Sequence, residues 1–307
     1  MFRLILSRAL QAFAVVFFLF TLTFFAIRAI PGDPLSTDDK SMPDHVKEKI
    51  EAYYGLDQPL IVQYGRYVKN VIQGDLGLST SKPGRSVNEI IAQSLPASIL
   101  VGIGGIAVAI LVGIPMGVLA ALRKNSWIDY TSMAIAMIGI CVPTFVLGPL
   151  LQLWIAAKTD WINVAGWDTF ADIILPSITL GIGSAAYLAR LTRGGMLEIL
   201  SQDYIRTARA KGVPMIPIII KHTLRGAMMP AVTFLGPAFA AIITGSFIVE
   251  TIFQIPGMGQ HFVNAVTSKD YALLQGLVIF YGFLMAGANL LVDIALVLLN
   301  PRLREAN

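Results

Sequence analysis

The sequence Asp203-Tyr204-Ile205-Arg206-Thr207-Ala208-Arg209-Ala210-Lys211-Gly212-Val213-Pro214 predicts a short helix with both ends marked. The carboxylate of Asp203 can accept the free amide hydrogens of a first turn, so Asp203 is the predicted N-cap. Gly212 suits the left-handed conformation just past a last turn, and Pro214 prevents the helix from continuing. Because a helix of about eight residues is marginal alone in water, it requires a surface on which to dock.

The surface of this predicted helix combines cations with small side chains. Its cations are Arg206, Arg209 and Lys211, and the small residues Ala208 and Ala210 lie between them, after Thr207. Four residues at i, i+3, i+4 and i+7 share one face: Ile205, Ala208, Arg209 and Gly212. Small residues let a second backbone approach closely, so we expect this face to meet a partner protein.

The composition is that of a polytopic membrane protein. Of the 307 residues, 55% are hydrophobic and only 14% are charged, whereas soluble domains carry about 25% charged residues. The one cysteine, Cys141, excludes a disulfide within the chain. Its apolar surroundings predict a small, buried packing residue.

Six apolar runs are long enough to cross a bilayer. They are predicted at residues 9–30, 95–121, 131–157, 171–191, 230–252 and 272–299. The first run is too long for a typical signal-peptide core and no clear cleavage site follows it, so we expect it to be retained. Proline and glycine interrupt several runs: Pro115, Pro143, Pro149, Pro176, Pro237, Gly105, Gly113 and Gly117. Freed backbone groups need neighbouring helices or a water-filled cavity, and small residues permit close packing.

The sequence divides into three parts. These are the first span with an extracytoplasmic segment (1–94), a membrane core (95–300) with a cytoplasmic loop (192–229), and a tail (301–307). Within the first part, helices are predicted at about 44–54 and 60–72.

The polar segment before the second span carries further helix signals. Ser86 with Glu89 three residues later forms a capping box. The predicted 60–72 helix is amphipathic, and three roles for the helices of this segment stay open: they lie on the membrane, cap a cavity, or pack on one another.

The basic residues favour an orientation with both termini in the cytoplasm. Lysine and arginine concentrate in the short connections and tails that this orientation places inside, where the positive-inside rule applies. The predicted inside residues are Arg3, Arg8, Arg123, Lys124, Arg190, Arg193, Arg206, Arg209, Lys211, Lys221, Arg225, Arg302 and Arg304. The same orientation places the 203–212 helix in the longest inside loop.

The sequence offers little catalytic chemistry. It contains no Gly-x-x-x-x-Gly-Lys-Ser/Thr loop, so we do not expect the chain itself to bind ATP by that device. His45, His222 and His261 lack metal-ligand spacing. Ser184 and Ser246 lie in predicted spans and raise the alternative of an intramembrane enzyme, but no histidine lies in a span to activate them. A channel is a further alternative.

Two carboxylates lie at span depth, where an ionisable group normally faces a partner or a cavity. Asp293 is less than two turns from the cytoplasmic end of the last span. We expect it to form an ion pair with a cation near the inner face, such as Arg190 or Arg193, and a role in a solute pathway is the alternative.

Glu250 lies near the predicted outer end of the fifth span and precedes a stretch rich in turn residues. The stretch includes Pro256, Gly257 and Gly259. It is predicted to break the helix and to form either a short re-entrant piece that gates the outer mouth or a plain outer loop.

Several stretches resemble the permeases of binding-protein-dependent ABC importers, and specifically the B-type subunits of the oligopeptide/dipeptide branch. That branch typically has the loop Asp-Tyr-Ile-Arg-Thr-Ala-Arg-Ala-Lys-Gly, which residues 203–212 match. The wider family begins this motif with Glu-Ala-Ala, and Thr207-Ala208-Arg209-Ala210 departs from it. Further matches extend over the whole chain: residues 31–34, 54–59, 74–77, 249–253, 256–259 and 300–302.

The resemblance implies an all-α membrane protein with six transmembrane helices and the type I importer permease (MetI-like) fold, with a helical extracytoplasmic insertion between spans 1 and 2. It implies a transport subunit rather than an enzyme, without a cofactor of its own. Its expected partners are a homologous second permease, two ABC ATPases that bind the ATP, an extracytoplasmic substrate-binding protein and the lipid bilayer, with no nucleic acid. The 204–212 helix then couples to an ATPase.

The resemblance also implies a location and a cargo. We expect the cytoplasmic membrane of a bacterium or archaeon. Oligopeptides or dipeptides are the expected cargo, and the outer loop at 158–170 resembles the oligopeptide member more closely. Nickel chelates, glutathione and other small solutes carried by the same branch are the alternatives.

Overall fold

The structure, a computed structural model, describes residues 2–29, 44–245 and 247–299. The predicted matches at 31–34 and 300–302 and the tail at 301–307 lie outside the described residues. Helices dominate the described part, and its one isolated β-bridge pairs Leu78 with Ser86. The prediction of an all-α chain is confirmed for these residues.

The described residues form fifteen α-helices: α1 (Phe2–Arg28), α2 (Asp44–Tyr54), α3 (Leu60–Ile72), α4 (Val87–Val108), α5 (Ile114–Leu122), α6 (Trp127–Cys141), α7 (Thr144–Trp154), α8 (Ile174–Leu200), α9 (Asp203–Ala210), α10 (Met215–Pro217), α11 (Leu224–Ala227), α12 (Met229–Gly245), α13 (Phe247–Phe253), α14 (Met258–Thr267) and α15 (Tyr271–Leu299). Two π-helical segments, Ala109–Gly113 and Ile218–Thr223, and two 3₁₀ segments, Ala156–Lys158 and Phe170–Ile173, join some of them.

Four helical segments of the described chain are long and apolar enough to cross a bilayer. They are Leu6–Arg28, Val87–Leu122, Phe170–Leu200 and Tyr271–Ile294. Two pairs of consecutive helical segments are also long and apolar enough to cross a bilayer when the two members are taken together. They are Trp127–Cys141 with Thr144–Lys158, which meet at a bend of 107°, and Met215–Ala227 with Met229–Ile242, which meet at a bend of 53°. If each bent pair is one span, the segments number six.

The helix α8 lies at the centre of the membrane core, packed against α4, α5, α6, α7 and α12. Small residues permit its contact with α4 and α5. A Cβ on Gly181 would lie 2.5 Å from the carbonyl oxygen of Gly105, and one on Gly117 would lie 2.4 Å from that of Ala189. The helices therefore touch along their backbones, and the predicted close packing of the glycine-rich spans is confirmed at these positions.

Two prolines of the predicted spans act differently. Pro115 follows the π-helical segment Ala109–Gly113, whose wider turn accommodates the proline ring and its missing N–H. Pro143 breaks its span, because Val142 before it is extended (ψ 116°) and α6 and α7 meet at 107°. The predicted interruption of the 131–157 run at Pro143 is therefore confirmed.

Cys141 is the last residue of α6, immediately before this break. Its side chain is exposed on the single chain, so the prediction of a buried packing residue is wrong. An apolar sequence around a residue does not by itself show which face of the helix the residue occupies.

The helices predicted between the first two spans are confirmed as α2 and α3. The capping box is confirmed as well: the Ser86 hydroxyl accepts the amide hydrogen of Glu89 at 3.1 Å, and the Glu89 carboxylate accepts that of Ser86 at 3.2 Å. These caps satisfy amide groups at the N-terminus of α4, which begins the second span.

The helix α3 packs on the first span. The rings of Phe20 and Tyr67 stack at 5.3 Å between centroids, and those of Phe24 and Tyr64 meet edge to face at 5.2 Å. Thr21 and Tyr64 also share a hydroxyl–hydroxyl hydrogen bond of 2.8 Å. Packing of α3 on the first span was not among the three roles left open by the sequence.

A buried aspartate ties this insertion to the last span. Asp270 is fully buried and accepts the amide hydrogens of Thr80 at 3.2 Å and Ser81 at 3.0 Å. The hydroxyls of Ser79 and Ser81 also donate to it. Asp270 further accepts the amide hydrogen of Leu273 at 3.0 Å, which caps α15. The insertion is thus held against the membrane core by one carboxylate.

Candidate functional site

The helix that opened the sequence analysis is α9, and its N-terminus differs by one residue from the prediction. Gln202 is the N-cap and Asp203 lies in the first turn, so the prediction of Asp203 as N-cap is wrong. The carboxylate of Asp203 still lies at the positive end of the helix dipole, and it meets the Arg206 guanidinium at 3.4 Å on the surface.

The C-terminus of α9 follows the prediction. Gly212 has a φ of 74°, in the left-handed region. Its N–H bonds to the carbonyl of Arg209 at 2.9 Å, and the N–H of Val213 bonds to that of Ala208 at 3.2 Å. These two bonds form a Schellman motif, after which Pro214 caps the next helix.

The side chains of α9 divide into one anchor and a broad exposed surface. Ile205 is fully buried within the chain and Ala208 is half-buried. The exposed residues are Tyr204, Arg206, Thr207, Arg209, Ala210, Lys211 and Gly212. The prediction that Ile205 lies on the partner-binding face is therefore wrong, because this side chain faces the body of its own chain.

The helix α9 rests on the segment that returns to the membrane core. It packs on the π-helical residues Ile218–Thr223, and the Tyr204 hydroxyl donates to the carbonyl oxygen of His222 at 3.3 Å. That segment continues into α11, where Ala227 lies against Gly195 of α8. A Cβ on Gly195 would lie 2.4 Å from the Ala227 carbonyl oxygen. A displacement of α9 therefore reaches α8 through a backbone contact.

The second candidate site surrounds Glu250, which is fully buried. Its carboxylate accepts the hydroxyl hydrogen of Ser98 on α4 at 2.9 Å and the amide hydrogen of Gln260 at 3.3 Å. The Ser98 oxygen in turn accepts the amide hydrogen of Met258 at 2.8 Å. This network joins α13, the start of α14 and α4.

Two of the predicted glycines leave no room for a side chain, Gly257 because of the Glu250 carboxylate and Gly259 because of the Phe247 backbone. A Cβ on Gly257 would lie 2.3 Å from Cδ of Glu250, and one on Gly259 would lie 2.7 Å from Cα of Phe247. Pro256 is exposed at the turn between α13 and α14. Glu250, Pro256, Gly257 and Gly259 therefore do come together, as predicted.

Glu250, Ser98, Met258 and Gln260 form a structural clasp, a hydrogen-bonded group that holds α13, α14 and α4 together. The stretch breaks the helix after Phe253, as predicted, and a new helix begins at Met258. Because Glu250 is enclosed and hydrogen-bonded, it does not line an open passage in this conformation. The carbonyl of Phe253 also accepts the amide hydrogen of Gly166 at 2.9 Å, which ties the outer connection between α7 and α8 to the clasp.

An open cleft of about 350 Å³ lies elsewhere, between α8 and α12. Its lining is small or apolar and includes Leu180, Ser184, Phe234 and Pro237. The rings of Tyr187 and Phe234 pack at 4.5 Å beside it. The cleft contains no histidine to activate Ser184, which leaves the intramembrane-enzyme alternative without support at this serine. Ser246 lies outside the described residues.

The ion pairs near the predicted inner face differ from the prediction. Asp293 pairs with Arg8 of α1, at 3.3 Å between Oδ2 and Nε. Arg193 forms a two-point pair with the buried Asp129 of α6, at 2.5 and 2.7 Å, and Arg190 is exposed. The predicted ion pair of Asp293 with a cation of the predicted inner face is therefore confirmed, but the partner is Arg8 rather than Arg190 or Arg193, because α15 packs on α1.

Sequence reasoning missed Asp129 and Asp270. Each lies within one turn of the start of a helix, where a carboxylate can cap the helix or face the positive end of its dipole. This position in the sequence could have indicated a structural role for both residues. Sequence alone did not show which distant residues they hold.

One histidine has a shifted pKa. His261 on α14 lies 3.2 Å from the Lys82 ammonium, measured from Nδ1 to Nζ. Burial and the nearby cations Lys82 and Arg85 lower the pKa of His261 to about 4. It is therefore neutral at physiological pH and does not act as a proton switch there. No group of three or more His, Cys, Asp or Glu in the described residues has an arrangement that could hold a metal ion.

Comparison with known proteins decides the family. The sequence model of the "binding-protein-dependent transport system inner membrane component" matches residues 113–305, and that of its N-terminal component matches residues 1–99. The chain belongs to this family. The permease is also 41% identical to the dipeptide transport system permease protein DppB of Bacillus subtilis, over 98% of each chain. It is 41% identical to the oligopeptide transport system permease protein OppB of Escherichia coli K12, over 99% of this chain and all of the other.

A solved structure supports the fold. The permease aligns with a chain of the inward-facing MetNI methionine ABC transporter with a TM-score of 0.59 at 18% identity. The alignment covers 69% of this chain and 96% of that chain. The MetI-like type I importer permease fold predicted by resemblance is therefore confirmed, and the permease is a multi-pass membrane protein rather than an enzyme.

The clasp yields a testable prediction. Gly257 has a φ of −98°, which any residue can adopt. Replacing it by alanine therefore acts through the clash with Glu250 alone. We expect Gly257→Ala to lower the free energy of unfolding by about 1–3 kcal/mol, measured as a lower thermal midpoint of the purified permease.

A matched control is Gly194→Ala in α8, where a Cβ would meet nothing within 4 Å. Alanine at this helical position leaves the midpoint unchanged or raises it slightly. If Gly257→Ala melts at the same temperature as the wild type and Gly194→Ala, the contact between Gly257 and Glu250 is not a constraint.

Proposed function

We propose that this permease is one of two homologous subunits that form the translocation pathway of an ATP-driven peptide importer. In this proposal two ABC ATPases bind and hydrolyse the ATP, an extracytoplasmic binding protein delivers the peptide, and the permease itself needs no cofactor. The near full-length identity with a dipeptide and an oligopeptide permease supports peptides. That similarity favours peptides over nickel chelates, glutathione or other small solutes.

The observation that carries the coupling role is the construction of α9. It is short, ends in a Schellman motif, exposes several cations and is anchored by the buried Ile205. Because α9 sits on the segment that contacts Gly195 of α8, it moves as a unit with that segment. We infer that closure of the ATPases displaces α9 and that the displacement tilts α8.

The cleft between α8 and α12 supports a pathway of low selectivity. Its lining contains no charged side chain. A peptide therefore meets apolar and small surfaces that neither trap nor reject it by charge. In this proposal the cleft faces the second permease subunit across the pathway, and the binding protein selects the cargo.

The cargo is tested on the binding protein that this transporter uses. We expect a library of di- to pentapeptides to include ligands that bind it in isothermal titration and that then stimulate ATP hydrolysis by the reconstituted complex. Nickel chelates and glutathione serve as competitors. Binding of one of these without any peptide binding would refute peptide cargo and leave the importer role intact.

The orientation is also part of the proposal. The distribution of basic residues supports cytoplasmic termini and a cytoplasmic α9. In a Cys141→Ala background, a cysteine introduced at Asn70 of α3 should react with a membrane-impermeant maleimide added to intact cells. A cysteine at Ser201 should react only after the cells are opened. Labelling of Ser201→Cys from outside would reverse the orientation.

The exposed surface of α9 can be tested without disturbing its anchor. Arg209→Glu and Ala210→Glu place negative charge on exposed positions beside other cations. We expect both to insert normally and to reduce co-purification of the ATPases about tenfold, with a parallel fall in uptake. Lys124→Glu is the matched control, since Lys124 is exposed in the connection between α5 and α6.

The variant Ile205→Ala distinguishes docking of the ATPases on α9 from transmission of the movement of α9 to α8. It leaves the exposed surface intact but removes the buried anchor, so the ATPases should still co-purify while uptake per ATP hydrolysed falls. If Arg209→Glu and Ala210→Glu retain wild-type co-purification and uptake, α9 is not the docking element.

A further inference from the structure

A second cleft, of about 200 Å³, lies between α1 and α15 and is separate from the proposed pathway. Its two ends differ in character. Arg8, Gln11, Asn289 and Asp293 line one end, and apolar side chains such as Leu19 line the other. Arg8 and Leu19 are about 16 Å apart along the helix axis, at 1.5 Å per residue. The cleft therefore runs from one surface of the membrane into its hydrocarbon region.

The polar end carries one charge of each sign. The Arg8–Asp293 pair uses one N–H of the guanidinium and one carboxylate oxygen, whereas a guanidinium has five N–H donors. The side chains of Arg8 and Asp293 are 51% and 24% exposed, respectively. Further donors on Arg8 and further acceptor capacity on Asp293 are thus available to a molecule in the cleft.

The position of the cleft indicates what covers it. Within the described chain, 22% of the residues in the apolar stretch of α1 are buried, and the same share holds for α15. For the segment that contains α8 the share is 50%. Bulky side chains elsewhere on α1, including Phe13 and Phe18, are exposed. Both helices are peripheral and apolar on their outer faces, as expected of helices that contact lipid.

We propose that this cleft binds one phospholipid whose zwitterionic headgroup ends in a primary ammonium, as in phosphatidylethanolamine. The phosphate accepts hydrogen bonds from Arg8, the ammonium donates to Asp293, and one acyl chain lies along Leu19 and Met285. The two opposite charges make the site selective for this headgroup over other phospholipid headgroups. Asp293 repels an anionic headgroup that has no ammonium, and a choline ammonium has no N–H to donate. The site does not depend on the identity of the transported cargo.

The test uses the intact transporter in nanodiscs made from equal parts of phosphatidylethanolamine, phosphatidylcholine and phosphatidylglycerol. Native mass spectrometry counts the lipids that each complex retains. We expect one phosphatidylethanolamine per copy of this chain, and Arg8→Gln and Asp293→Asn should each lower its retention about tenfold. Arg123→Gln is the matched control, because it removes an exposed cation outside the cleft and should leave retention unchanged.

A third variant tests the apolar end independently of the charges. Ala286→Leu narrows the cleft beside the acyl chain without touching the ion pair, and retention should fall again. If the charge variants do not assemble, retention of phosphatidylethanolamine by Ala286→Leu alone tests the proposal. Equal retention of the three lipids overturns the proposal, as does unchanged retention of phosphatidylethanolamine in the variants. Crosslinks from a photoreactive residue at Val15 to a second protein subunit, instead of to lipid, overturn it as well.

Discussion

The close backbone contact between α8 and the α4–α5 unit is the constraint on which the rest of the structure depends. Carbonyl oxygens of one helix occupy the space that a Cβ would need on the other, as at Gly181 and Gly117. In a bilayer, where apolar burial supplies little driving force between helices, such contact over small residues is a main source of association. Once α8 is fixed in this way, α6, α7 and α12 pack around it.

Elements farther from this centre are held by buried carboxylates. Glu250 joins α13 and α14 to α4, Asp270 joins the segment between α3 and α4 to α15, and Asp129 joins α6 to α8. A buried carboxylate without partners is costly, whereas a fully hydrogen-bonded one fixes a single alignment of the elements that supply the donors. Each of these groups therefore specifies how one peripheral element meets the core.

A small number of contacts also connects the short helix α9 to the membrane core. The helix α9 buries one large side chain, Ile205, and leaves its cations exposed. Its support passes through residues 218–227 to the backbone contact between Ala227 and Gly195. A continuous series of packed segments thus connects α9 to α8.

The sequence by itself determined the helical class, the apolar runs, the capping box at Ser86 and the left-handed stop at Gly212, because each depends on residues within a few positions of one another. Tertiary structure alone decided that Ile205 faces inward, that Asp293 meets Arg8 and that Glu250 lies inside a clasp. These outcomes depend on which helices are neighbours. Neighbours are set by packing between elements far apart in the sequence, such as α15 and α1, and no local pattern in the chain encodes them.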